Sequence, residues 1–116
     1  MSYTKNQHEN YNRDRDITCA RLGISVNDYN YLRRIGQQLH RIYEWSCNGV
    51  DDNGNEMTDE RFSDYTLPLY NKAYAKCKIL KLHIFYQSDP RGATIYVSKD
   101  PIESNNYNRL GSECIY

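Results

Sequence analysis

The chain reads as a small α+β protein, a two-helix hairpin packed on a small antiparallel β-sheet. Three observations predict this. Leu32, Ile35, Leu39 and Ile42 recur at spacings of three and four, one stripe of an amphipathic helix. Phe62, Tyr65, Leu69, Ala73, Cys77 and Leu80 keep a helical period over a second segment. After Leu80 the pattern changes to two short runs, Leu82 to Gln87 and Ala93 to Val97, separated by the turn signal Asp89-Pro90-Arg91-Gly92. At 116 residues the chain is long enough for one domain with a modest core.

Taken in order, residues 1–12 have almost no apolar content and are expected to be a disordered tail, leaving 13–116 as the single α+β domain. Asp14 to Leu22 is expected to be a short helix ended by Gly23. The main helix starts after Ser25, because Ser25-Val26-Asn27-Asp28 has the form of a capping box. Asn48-Gly49 is its stop signal. Residues 49–57 hold two glycines and three acids and read as a loop with an Asn53-Gly54 turn. Asp51-x-Asn53-x-Asn55 hints at a calcium loop, but Glu56 stands where the loop needs Gly and Phe62 where it needs an acid. The second helix spans Thr58 to Leu80, with a kink or break expected near Thr66 because Pro68 removes an internal hydrogen bond. Leu82–Gln87 and Ala93–Val97 form the β-hairpin across a type I turn, and Glu113-Cys114-Ile115-Tyr116 offers a third strand. Leu32, Ile35, Leu39, Ile42, Phe62, Leu69 and Ile84 are the expected core.

Composition narrows the function classes. Fifteen basic residues balance fifteen acidic ones, but the charge is segregated. Residues 13–49 hold six Arg against four acids, residues 50–71 six acids against one Arg, and residues 72–99 six Lys or Arg against Asp89 alone. A nucleic-acid binder usually shows an overall basic excess; a dipolar surface suits protein partners at least as well. Twelve tyrosines supply ring area with a polar tip in a chain of mean hydropathy −0.91. No apolar run has signal-peptide or membrane length, so a cytoplasmic protein is expected, with no membrane contact. Cys19, Cys47, Cys77 and Cys114 have spacings that match no zinc motif and are expected to be reduced thiols, with no metal or cofactor. Phosphate-binding loops, dinucleotide Gly-rich loops, nucleophile elbows and paired-histidine zinc motifs are all missing from the sequence, and no catalytic residue is assigned.

The residues that stand out sit on two segments. Projected on a helix, Arg34, Gln38, Arg41 and Trp45 form a strip about 100° from the apolar face, with Tyr31 at its edge. Trp, Tyr and Arg dominate binding hot spots, so this strip is a candidate partner-binding patch, with Arg91 on the hairpin tip as a second anchor. Two bland readings stand beside it: Trp45 packs under another element, and Arg91 makes a structural salt bridge. His40 and Glu44 form an ordinary i,i+4 pair or, less simply, an acid–base pair.

Two stretches carry a resemblance. Leu39-His40-Arg41-Ile42-Tyr43-Glu44-Trp45-Ser46-Cys47 closes the main helix, and Tyr86-Gln87-Ser88-Asp89-Pro90-Arg91-Gly92 opens the hairpin that ends in Ile95-Tyr96-Val97. Together they resemble a family of small, mostly uncharacterised proteins of tailed phages and prophages over about Tyr31 to Val97. No activity comes with that family. The resemblance implies a phage origin, and small phage proteins without a catalytic motif often act by occupying a host machine. The expectation is therefore a non-catalytic binding protein that inhibits a host defence machine in the manner of an anti-CRISPR, its partner a host protein or nucleoprotein complex such as a CRISPR effector. Two other classes stay open. One is a nucleic-acid-binding phage accessory protein using Arg33, Arg34, Arg41, Lys78, Lys81 and Arg91. The other is a small nucleotide-processing enzyme built on His40, Glu44 and Arg91.

Overall fold

The computed structural model describes residues 5–89, 92–100 and 113–114. Its elements run α1 (Lys5–Leu22), α2 (Val26–Asn48), α3 (Asp59–Ile79), β1 (His83–Asp89), β2 (Gly92–Ser98) and β3 (Glu113–Cys114). The α+β architecture is the one the sequence predicts: α2 and α3 form the helical layer, and the strands form an antiparallel sheet ordered β1-β2-β3.

Local chemistry sets the boundaries. Ser25 caps α2 in extended conformation, its side chain accepting from the Asp28 amide at 3.1 Å. Thr58 caps α3 in the same way through the Arg61 amide at 3.2 Å. At the other ends the chain reverses through left-handed residues. Gly23 (φ 69) lets the Ile24 amide reach back to the Cys19 carbonyl at 3.0 Å, and Gly49 (φ 80) donates to Trp45 O at 2.8 Å. Lys81 takes the same conformation after α3 (φ 59) without being glycine, and the Leu82 amide then bonds Cys77 O at 2.8 Å.

Two boundaries differ from expectation. α1 begins at Lys5, not at Asp14, so residues 5–12 are helix where a tail was expected. The segment Lys5–Leu22 contains no Pro or Gly to stop a helix once Cys19 and Leu22 have anchored its end in the core. α3 runs unbroken through Pro68. The proline removes one donor, and the carbonyl that loses it belongs to Asp64; both residues are exposed, so water can serve that oxygen.

The hairpin pairs from His83↔Ser98 to Asp89↔Gly92, leaving residues 90 and 91 as the connection. The turn type expected there and Arg91 itself lie outside the described residues, as do Ile115 and Tyr116 of the expected third strand. Glu113 and Cys114 do pair with Val97 and Tyr96. Opposed residues share a sheet face, so Ile84 and Tyr86 stand beside Val97 and Ile95 and face the helices. The core joins Cys19 and Leu22 of α1, Tyr29, Leu32, Ile35 and Leu39 of α2, Ala73 and Cys77 of α3, Leu82, and Ile95 and Val97 of β2. Burial pushes the Cys77 thiol up to about 11. Leu32, Ile35, Leu39 and Ile42 are buried as expected. Phe62, Leu69 and Ile84 are only half-buried; Ile84 lies on β1, whereas β2 is the strand under α2 and takes the deepest positions.

Candidate functional site

α2 and α3 lie antiparallel, and a groove runs along their junction. One stretch of about 400 Å³ is lined by Gln38, Arg41, Ile42 and Trp45 of α2 and by Asp64, Tyr65, Pro68 and Leu69 of α3. A second stretch of about 210 Å³ is lined by Tyr31, Arg34, Ile35 and Gln38 of α2 and by Leu69 and Lys72 of α3. The two share Gln38 and Leu69, so they are consecutive parts of one groove to which no strand contributes. Ile35, Ile42 and Leu69 supply its apolar floor, and the rest of the lining forms two banks.

The structure thus brings together five of the residues the sequence singles out: Tyr31, Arg34, Gln38, Arg41 and Trp45 all line the groove. The sixth, Arg91, lies outside the described residues. Trp45 answers to both of its readings. It is half-buried, its indole Nε1–H donates to Asp52 Oδ1 at 2.9 Å, and its ring meets Tyr65 edge-on at 5.8 Å. It packs under α3 and still presents a surface to the groove.

That end of the groove is braced by a polar chain. Arg61 donates to the Tyr65 hydroxyl at 3.2 Å and to Glu56 O at 3.0 Å, and pairs with Asp51 at 3.4 Å. Asp51 is buried; its Oδ1 accepts the amides of Asn53 and Asn55, each at 2.9 Å. Those amides, and more distantly Arg61, hold its carboxyl below the ordinary carboxylate range. The residues that hint at a calcium loop therefore close a tight turn on themselves, with Val50 bridging Glu56. Among the described residues no cluster of three or more His, Cys, Asp or Glu could hold a metal.

The other end is fixed by Lys76, which pairs with Asp28 at 2.8 Å and lies 5.5 Å from the Tyr31 ring centroid. The Lys76 bond holds the Asp28 carboxyl below its usual range. Between these braced ends, Arg34, Arg41 and Lys72 make no ion pair among the described residues, and Asp64 is the acid in the lining.

His40 Nε2 meets Glu44 at 3.0 Å, the i,i+4 pair expected, and neither residue lines the groove. Lys78 and Lys81 sit at the far end of α3. Arg33 is half-buried, on a different part of the α2 surface from the groove.

Sequence reasoning missed the α3 bank. Tyr65 and Leu69 were read only as part of the second helix's periodic stripe, because nothing in one helix's spacing says which neighbour it faces. Cys19, Cys47 and Cys77 are free thiols, and among the described residues no helix is long and apolar enough to cross a membrane. No family model matches the chain, and neither a curated protein nor a solved structure resembles it significantly.

Proposed function

We propose that this chain is a phage-encoded, non-catalytic binding protein that inhibits a host defence machine by seating the α2–α3 groove on one of its functional surfaces. The observation that carries this is the groove: an apolar floor, Trp45 and Tyr31 on its bank, and two arginines without ion pairs among the described residues. Aromatic area beside bidentate charge is the chemistry of hot spots. The bracing of Trp45 by Asp52 and Tyr65 reduces the ordering cost of binding. The phage origin rests on the resemblance of the helix-end and hairpin motifs, and the defence target on the way small phage proteins without a catalytic motif often act.

Affinity capture from a bacterial host, with and without nuclease, tests the reading. A host protein retained after nuclease, and lost from the Arg34→Ala and Arg41→Ala variants, is the expected result. A partner lost on nuclease treatment, with direct DNA or RNA binding that falls steeply with salt, would replace it with the nucleic-acid-binding reading. Asp64, in the same lining as Arg41, disfavours that alternative because it would face phosphate.

A further inference from the structure

We infer that the occupant of the α2–α3 groove is an acidic amphipathic α-helix of the partner protein. The inference rests on the binding role proposed above and names the chemistry of what binds.

The groove's backbone argues for a helix. Its walls are the middles of two α-helices, whose amides and carbonyls are already bonded along the helix axis. An extended segment laid there would find almost no backbone partners for its own polar groups. A helix brings its backbone already satisfied and needs only side-chain contacts. The trough between an antiparallel helix pair also matches the ridge of a third helix, as in a bundle. From Tyr31 to Trp45 the groove follows α2 for about 21 Å, roughly four helical turns.

Charge argues for acids. Arg34, Arg41 and Lys72 flank the floor against the one carboxylate of Asp64. Arg34 and Arg41 are two turns apart on α2, about 10 Å along the axis. Carboxylates seven residues apart on a docked helix would meet both guanidiniums, each able to bind in bidentate fashion. The apolar stripe of that helix would cover Leu69, Ile42 and the exposed side of Trp45.

Trp45 is the only tryptophan, so its emission reports on the groove directly. The probe is a tryptophan-free helical peptide of about four turns, with leucines at helical spacing and glutamates seven apart on one flank. Two relatives carry Gln or Lys at the glutamate positions, and an oligothymidylate serves as polyanion. The expected result is a saturable change in Trp45 emission with the glutamate peptide, binding about tenfold weaker with the Gln peptide, and none with the Lys peptide. The double variant R34E/R41E, folded by circular dichroism, should invert the preference toward the Lys peptide. The inference is overturned if the Glu and Lys peptides bind alike, if neither binds, or if the oligonucleotide acts at lower concentration than the peptide. It is also overturned if emission shifts with protein concentration alone and sedimentation shows a dimer, which would assign the groove to a second copy. A host protein still lost from the Arg34 and Arg41 variants, with no peptide binding, would leave the binding role standing and remove only the helical occupant.

Discussion

Leu39 belongs to the core cluster that joins helix and strand residues and leaves only 1% of its surface to solvent. Truncation to Ala removes buried methyl groups and leaves a cavity that the surrounding elements fill only in part. Leu39→Ala is expected to cost about 2–5 kcal/mol by urea denaturation. Two carboxylates, the half-buried Asp28 and the buried Asp51, behave differently. Asp28 and Asp51 both have carboxyls held below their usual range, by Lys76 and by the loop amides respectively. A depressed folded-state pKa means the carboxylate's contribution is fully present above its unfolded value, about 3.9. It is lost as pH falls through the folded value. Stability measured against pH should therefore fall on the acid side below about pH 4. The double variant Asp28→Asn, Asp51→Asn should be less stable at neutral pH and show a flatter acid limb. An unchanged limb would mean that other carboxylates carry the acid sensitivity.

At the scale of elements, the helix ends give the clearest expectations. Lys81 closes α3 in a left-handed conformation (φ 59) that costs an L-residue about 1–2 kcal/mol. Lys81→Gly is expected to raise stability by about 1 kcal/mol. Gly49 (φ 80) closes α2 with nothing within 4 Å of an added Cβ, so Gly49→Ala meets backbone strain alone. It should lose about 1 kcal/mol. The two changes are compared by thermal melting, and equal shifts of one sign would contradict the capping account. These ends also show how much of the fold was legible. Ser25, Gly23 and Gly49 are local signals, and each sits where its chemistry predicts. The end of α3 was approached through Leu80 alone, because a lysine gives no local sign of a left-handed turn. The unbroken passage through Pro68 was illegible for a related reason: whether a proline breaks a helix depends on whether solvent reaches the orphaned carbonyl, a tertiary fact. The α2 bank of the groove could be read from one helix's period. The α3 bank could not, because the pairing of two helices is not written in either one.

For the whole molecule, what matters is where the segregated charge lies. The acids of residues 50–71 gather at the 49–57 loop and the start of α3, where the Asp51 carboxylate pairs with Arg61 and the Asp52 carboxylate accepts from Trp45. Arg34, Arg41 and Lys72 line the groove and make no ion pair among the described residues, with Asp64 the acid in the lining. Cations held together without counter-charges contribute little to folding, so Arg34→Ala and Arg41→Ala should change stability by no more than about 0.5 kcal/mol. Binding to the captured partner should weaken by about 1–4 kcal/mol for each. Trp45 cannot make this distinction so cleanly. Its replacement by Ala removes the bond to Asp52 and the edge-on contact with Tyr65, about 1–3 kcal/mol of folding free energy together. A binding loss in Trp45→Ala would therefore mix a weakened fold with a lost contact. The arginines separate the two, and isothermal titration beside thermal melting reads both. An arginine variant that melts several degrees lower while binding as tightly as the parent would show that these side chains serve the fold, and that the partner docks elsewhere.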